Sequence, residues 1–155
     1  MRYLQGPRSR ERSDASIASM ERQFAEQGWG LWALEVIATG EFIGFTGLAR
    51  SDFDAHFTPA VEVGWRLARQ AWGHGYATEA GAAALRFGLG PGGIPEIMSW
   101  TAAINSPSRA VMERLGFSHD PTGDFEHPKV PYGDPVRPHV LYRLPTDGAR
   151  LYPDK

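Results

Sequence analysis

Residues 61–80 read VEVGWRLARQAWGHGYATEA. The first seven alternate. Val61, Val63, Trp65 and Leu67 share one face and Glu62, Gly64 and Arg66 the other, which is the two-residue period of a β-strand. A loop carrying Gln70, Gly73 and Gly75 follows, and an alanine-rich run from Tyr76 to Leu89 reads as a helix. A strand that feeds a glycine-bearing loop and then a helix sets the unpaired N–H groups of the helix start, with the positive end of its dipole, at the loop. Glycines let the backbone close around an anion, so the geometry suits a phosphate or pyrophosphate. A nucleotide P-loop would end in Gly-Lys-Ser/Thr, which is absent, and the dinucleotide fingerprint GxGxxG meets Thr78 where its third glycine belongs. A lone GxG also fits a plain strand-to-helix turn, so the local pattern leaves both readings open.

Outward from this segment the periodicities alternate. Upstream, Ser13 or Asp14 is placed to cap a helix in which Ile17, Met20 and Phe24 recur at helical spacing, and Gly28 is its stop. Apolar runs at 31–38 and 42–50 around Thr39-Gly40-Glu41 read as a β-hairpin, and 51–59 as a polar loop. Downstream, Gly90-Pro91-Gly92-Gly93 breaks the chain and 97–102 is a short strand. Ser106-Pro107 opens a further helix that Gly116 closes. Residues 120–139 form a long Pro- and His-containing loop, 140–144 a last strand, and 145–155 a polar tail. No repeat or linker interrupts this order. The expected fold class is α/β (α+β), one domain over 1–155 with a single mixed sheet and helices on its faces.

Composition bounds the function. A chain of 155 residues is long enough to bury a core, and a net charge of -2 from 16 basic and 18 acidic side chains leaves no footprint for nucleic acid or an anionic membrane. No apolar stretch approaches a membrane span, and the polar, Arg-rich residues 1–12 do not read as a secretory signal, so a cytoplasmic location is expected. The absence of cysteine removes disulfides, thiolate metal sites and an acyl-cysteine intermediate. His56, His74, His119, His127 and His139 show no metal-ligand spacing, so no metal is expected.

The hexapeptide Gln70-Ala71-Trp72-Gly73-His74-Gly75, Q-x-x-G-x-G, resembles the pyrophosphate loop of the GNAT family of N-acetyltransferases. Its extension through Ala80, W-G-x-G-Y-A-T-E-A, is similar to the branch that contains the RimJ/RimL-type enzymes, which acetylate ribosomal-protein N-termini. A second block, Ile104-Asn105-Ser106-Pro107-Ser108 through Leu115-Gly116-Phe117, resembles that branch's N-x-x-S…LGF element, and two motifs in order are more specific than either alone. The resemblance covers residues 31–144. It implies the acyl-CoA N-acyltransferase fold, a mostly antiparallel sheet flanked by helices. It also implies an enzyme that moves acetyl from acetyl-CoA, as co-substrate, directly to a primary amine on a protein N-terminus or a small molecule such as an aminoglycoside or polyamine. The alternatives are a CoA-binding sensor or subunit without transfer activity, and a nucleotide-binding α/β protein unrelated to CoA.

Residue by residue, the resemblance implies a sheet splayed between 61–67 and 97–102, with the pantetheine arm in the gap. Backbone groups of Trp65, Arg66 and Leu67 would pair with pantetheine amides. The amides from Trp72 through Gly73, His74, Gly75 and Tyr76 to Ala77 would hold the pyrophosphate, Asn105 would bond the pantetheine arm, and Ser108 would lie near the sulfur. Transfer requires a base for the amine, a donor for the oxyanion and a proton for the departing thiolate. Glu62 is the candidate base, its plain alternative being a solvated strand carboxylate, and a backbone N–H near Trp65 the oxyanion donor. Where many members place an acidic Tyr this chain has Met112, so Ser108 is the candidate acid, with helix capping as its alternative. His127 and His139 flank the late loop. They either touch the acceptor as that loop closes or are merely structural. Trp29, Trp32 and Trp100 belong to the core or to the acceptor pocket. The family places a strand and a helix ahead of the region where this chain starts. An exposed sheet edge, and a homodimer covering it, are the corresponding expectations.

Overall fold

A computed structural model describes residues 3–4, 8–145 and 147. The first helix, α1 (Arg10–Gln27), starts earlier than Ser13. Ser9 is its N-cap, the hydroxyl accepting from the Arg12 amide at 3.3 Å, while the Ser13 amide donates to the Ser9 carbonyl inside the first turn. Gly28 ends it in the left-handed conformation, φ 78°, as expected. Phe24 meets Trp32 edge-on at 5.6 Å and Trp32 meets Phe87 at 5.5 Å, which ties α1 to the sheet through aromatic contacts. Ile17, read as part of the same apolar stripe, is 54% exposed.

The hairpin forms from β1 (Leu31–Val36) and β2 (Glu41–Ser51). β1 is two residues shorter than its apolar run, because the amides of Thr39 and Gly40 fold back onto the Val36 carbonyl. Then come β3 (Ala60–Leu67), α2 (Tyr76–Leu89), β4 (Met98–Ala102), α3 (Ser106–Arg114), β5 (Ser118–His119), β6 (Phe125–Glu126) and β7 (Pro138–Arg143). The seven strands make one mixed sheet in the order β1-β2-β3-β4-β7-β5, with β6 also on β7. Every pairing is antiparallel except β3 with β4, so the expected architecture is observed and β1 lies at one edge.

Two expectations are corrected. Residues 51–59 are not simply a polar loop. β2 runs through Ser51, and Phe53 and Phe57 beyond it pack with Trp100, Met98 and Leu141 into a second buried cluster. Residues 120–139 are not a single loop, and the last strand begins at Pro138 and ends at Arg143. Phe125 pairs with His139, the His127 amide donates to the Arg137 carbonyl, and the Asp124 carboxylate accepts the Leu141 amide, so the segment is held flat against β7.

The main core lies between one sheet face and α2 and α3, with Leu48, Val63, Leu85 and Met112 at its centre. Gly88 permits the close approach of α2, since a Cβ there would stand 2.7 Å from Ile97 and 2.8 Å from Leu48. The other face of β3 carries Glu62, Gly64 and Arg66. No helix of the described residues is long and apolar enough to cross a membrane.

Candidate active site

β3 and β4 are neighbours at one register pair only, Glu62 with Met98. Beyond it the two strands part. The Ser99 hydroxyl spans the start of the gap by donating to the Val63 carbonyl at 3.0 Å. Among the described residues, β4 therefore pairs with β3 no further than Glu62. A cleft of about 470 Å³ occupies this opening. Glu62, Trp65, Arg66, Asn105, Ser108, His127 and His139, scattered through the sequence, all line it. So do Ser99, Thr101 and Met112, the last at the position where the family's acid would stand.

Glu62 sits at the throat of the opening. No hydrogen bond or ion pair reaches its carboxyl among the described residues, and burial pushes that carboxyl up to about 8. Part of the side chain's surface nevertheless faces the cleft, so the group is desolvated but reachable.

Asn105 is 7% exposed and engaged on both ends. Its Oδ1 accepts the Ser108 amide at 3.3 Å, which caps α3, and its Nδ2 donates to Thr101 Oγ1 at 3.0 Å. The second N–H of the carboxamide has no partner among the described residues. The cap also orients the first turn of α3, so that Ser108 reaches the cleft wall.

The two histidines come together, their ring centroids 4.8 Å apart, because Phe125 pairs with His139 across β6 and β7. Burial, then His139, Lys129 and Arg137, push His127 down to about 4, and burial lowers His139 too. Both are therefore neutral at pH 7. The Lys129 amide donates to His127 Nδ1 at 3.2 Å, leaving Nε2 of that ring as the donor. His139 Nδ1 donates to the Arg137 carbonyl at 3.0 Å, leaving its Nε2 as a bare acceptor. Among the described residues no group of three or more His, Asp and Glu side chains is placed to hold a metal ion.

The loop from Leu67 to Ala77 forms a second feature beside the cleft. Gly73 and Gly75 are both left-handed, φ 80°, and a Cβ at either would meet nothing within 4 Å. The amides from Gly73 to Thr78 make no hydrogen bond among the described residues, and the first helical bond of α2 runs from Glu79 to the Gly75 carbonyl. An exposed run of unpaired donors at a helix N-terminus is a phosphate cradle by its chemistry. The Trp72 amide does not join it, since it donates to the Arg69 carbonyl at 3.2 Å. The Trp72 ring instead anchors the loop, its Nε1 donating to the Leu67 carbonyl at 3.0 Å while the Arg69 guanidinium lies 4.4 Å over its face. Gln70 is exposed in the turn of 3-10 helix, and His74 stacks on Tyr76 at 5.2 Å.

Sequence reasoning missed Arg8, Phe45 and Lys129, which also line the cleft. Phe45 was legible in principle, as it lies opposite Arg66 in the β2–β3 register. Arg8 and Lys129 carry no periodic signal.

The chain matches the family model described as acetyltransferase (GNAT) domain over residues 1–118. It is 28% identical over 122 residues to the uncharacterized protein YkkB of Bacillus subtilis, covering 79% of this chain and 70% of that protein. It is 34% identical over 96 residues to the FsC-acetyl coenzyme A-N(2)-transacetylase of Aspergillus fumigatus, covering 59% of this chain and 40% of that one. Among solved structures, an acetyltransferase from Agrobacterium tumefaciens is similar with a TM-score of 0.72 and 27% identity, over 92% of this chain and 75% of that one. A family model that spans most of the chain, and a solved acetyltransferase that follows nearly all of it, leave one assignment: the chain belongs to the GNAT family and is an acetyl-CoA-dependent acetyltransferase.

Proposed function

We propose that the chain moves acetyl from acetyl-CoA directly to a primary amine bound on the Glu62 face of the cleft, as a RimJ/RimL-like member of its family. One observation carries the reading. The carboxyl that stands at the last contact before β3 and β4 part is desolvated, has no hydrogen-bond or ion-pair partner among the described residues, and has its ionisation pushed up to about 8. A base of that strength is matched to taking a proton from an ammonium group close to neutral pH.

The remaining residues take their roles from position. Acetyl-CoA supplies an electrophilic thioester carbonyl and a thiolate that leaves. The amides from Gly73 to Ala77 hold the pyrophosphate, the backbone of Trp65, Arg66 and Leu67 on the β4 side pairs with the pantetheine, and the second N–H of the Asn105 carboxamide adds a bond to that arm. Glu62 takes the amine proton, directly or through one water. A backbone N–H near Trp65 donates to the carbonyl oxygen as charge develops there, and the Ser108 hydroxyl delivers a proton to the leaving sulfur. His127 and His139, neutral and bearing one outward donor and one bare acceptor, meet the acceptor as it enters.

The first test is thermal unfolding with acetyl-CoA beside ATP and NAD. At one hundred times its dissociation constant, acetyl-CoA stabilises the fold by about 2.7 kcal/mol and the other two do not. Release of CoA with a panel of amines follows. Acetyl-CoA binding without transfer to any amine would replace this reading by that of a CoA-binding sensor or subunit.

A further inference from the structure

Beyond the last β3–β4 register pair, β4 carries two hydroxyls on one face. Ser99 and Thr101 stand at alternate positions opposite Tyr142 and Val140 of β7, so both lie on the side of the main core. The Ser99 hydroxyl is engaged by the Val63 carbonyl of β3. Thr101 is roughly 7 Å further along the strand, past the point of contact, and none of the described residues of β3 bonds its hydroxyl. Thr101 Oγ1 instead accepts Asn105 Nδ2 at 3.0 Å. A hydroxyl that accepts on one side still has a proton to donate, and no described residue accepts it. That proton does not point at the N–H the oxygen receives, and on the β7 side its neighbour is the apolar side chain of Val140. The remaining direction is the cleft, which Thr101 lines.

The donors run in one sense. The Ser108 amide, in the first turn of α3, donates to Asn105 Oδ1, Asn105 Nδ2 donates to Thr101, and Thr101 is left to donate into the cleft. Each bond in such a chain polarises the next, so the last donor is strengthened. Asn105 is buried, which holds the chain in place. Its second N–H stands beside the Thr101 hydroxyl, the two heavy atoms being 3.0 Å apart, so both reach one oxygen that has two lone pairs. Neither donor is charged, which suits a neutral amide carbonyl.

Resting on the transfer reading above, we propose that Thr101 is a co-substrate-binding residue. Its hydroxyl and the second N–H of Asn105 together grip one amide carbonyl of the pantetheine arm.

The test is isothermal titration of the whole chain with acetyl-CoA and with phosphoadenosine diphosphate, the nucleotide half of CoA that keeps the pyrophosphate and lacks the arm. Thr101→Val keeps the branched shape and removes the hydroxyl, and Thr101→Ser keeps the hydroxyl. Thr101→Val binds acetyl-CoA about three- to tenfold more weakly, the size of one neutral hydrogen bond, while Thr101→Ser binds as the parent does. All three bind the nucleotide half alike. In turnover the loss falls on KM for acetyl-CoA rather than on kcat, since the arm is held equally before and during transfer. Thr101→Val also takes from Asn105 its acceptor, so it is repeated on an Asn105→Ala background, where it is expected to weaken acetyl-CoA again. No further effect there means that Thr101 acts only by holding Asn105, and overturns the inference. So does unchanged affinity in Thr101→Val, an equal loss for acetyl-CoA and the nucleotide half, or a loss confined to kcat. Weakened acetyl-CoA binding in Thr101→Val, in a parent that acetylates no amine, supports the clamp and overturns the transfer reading alone. A parent that does not bind acetyl-CoA overturns both.

Discussion

Glu62→Gln keeps the shape of the side chain and removes only its ionisation, so it separates two consequences of one buried carboxyl. The first is kinetic. With ionisation near pH 8, about a tenth of the free enzyme holds the ionised base at pH 7, so kcat/KM rises with pH and levels off above about 8. Removing a general base costs roughly 10²–10⁴ in rate and abolishes that rise. The second consequence is thermodynamic. In the unfolded chain Glu62 has its ordinary value of 4.5, and in the folded chain about 8. Below pH 4.5 the carboxyl is neutral in both states and folding carries no penalty. Between 4.5 and about 8 the unfolded chain gives up this proton while the folded chain keeps it, so stability falls as pH rises. Above about 8 the full penalty persists. The difference corresponds to at most about 5 kcal/mol. Because part of the side chain opens on a cleft that admits water, about 2 kcal/mol is the expected size. Urea unfolding of both proteins across this range checks it. The variant matches the parent at the acid end and exceeds it at the alkaline end, while its turnover is low throughout. A parent whose stability relative to the variant does not fall with pH refutes the desolvated carboxyl, and a variant with full turnover refutes Glu62 as the base.

Two further substitutions test the supports of the site. Gly75→Ala places a side chain on a left-handed residue with open space around it, so it costs about 1 kcal/mol of stability from backbone strain alone. It also narrows the cradle, and isothermal titration is expected to show acetyl-CoA bound several-fold more weakly. Unchanged affinity would remove the loop from the binding surface. Asn105→Ala uncaps α3 and leaves the Thr101 hydroxyl without its donor, at a combined cost of about 2 kcal/mol read from the urea midpoint. An unchanged midpoint would mean that neither bond contributes.

What could be read ahead of the structure divides along the range of the interactions involved. α2 spans Tyr76 to Leu89 as its alanine-rich run and flanking glycines indicate, and β3 extends the alternation by only one residue, because both rest on local period and turn chemistry. α1 was misplaced at its start for an equally local reason. Ser9 and Ser13 are interchangeable as caps by type, and only the bond actually made, from the Arg12 amide to Ser9, chooses between them. Phe53 and Phe57 were hidden by the Asp, His and Thr around them. Their burial depends on Trp100, Met98 and Leu141, which arrive from far along the chain.

The same division runs through the site. The phosphate-type cradle is a local object, a glycine loop and a helix start, and its residues could be named from sequence. The chemistry at Glu62 is not local. Its high ionisation comes from a throat that exists because β3 and β4 touch at one pair and then part, and nothing in residues 60–67 states where the neighbouring strand leaves. Nor does the spacing of His127 and His139 state that they touch. That follows from Phe125 lying opposite His139, a register set by β7 folding back against β4. Binding of the co-substrate is therefore expected to tolerate changes in the distant strands better than the catalytic step does. A substitution that loosens β6 and β7, such as Phe125→Ala, should leave the acetyl-CoA thermal shift in place while lowering turnover, because it disturbs the His127–His139 pair without reaching the amides from Gly73 to Thr78. Equal loss of both would show that the cradle and the cleft behave as one cooperative unit.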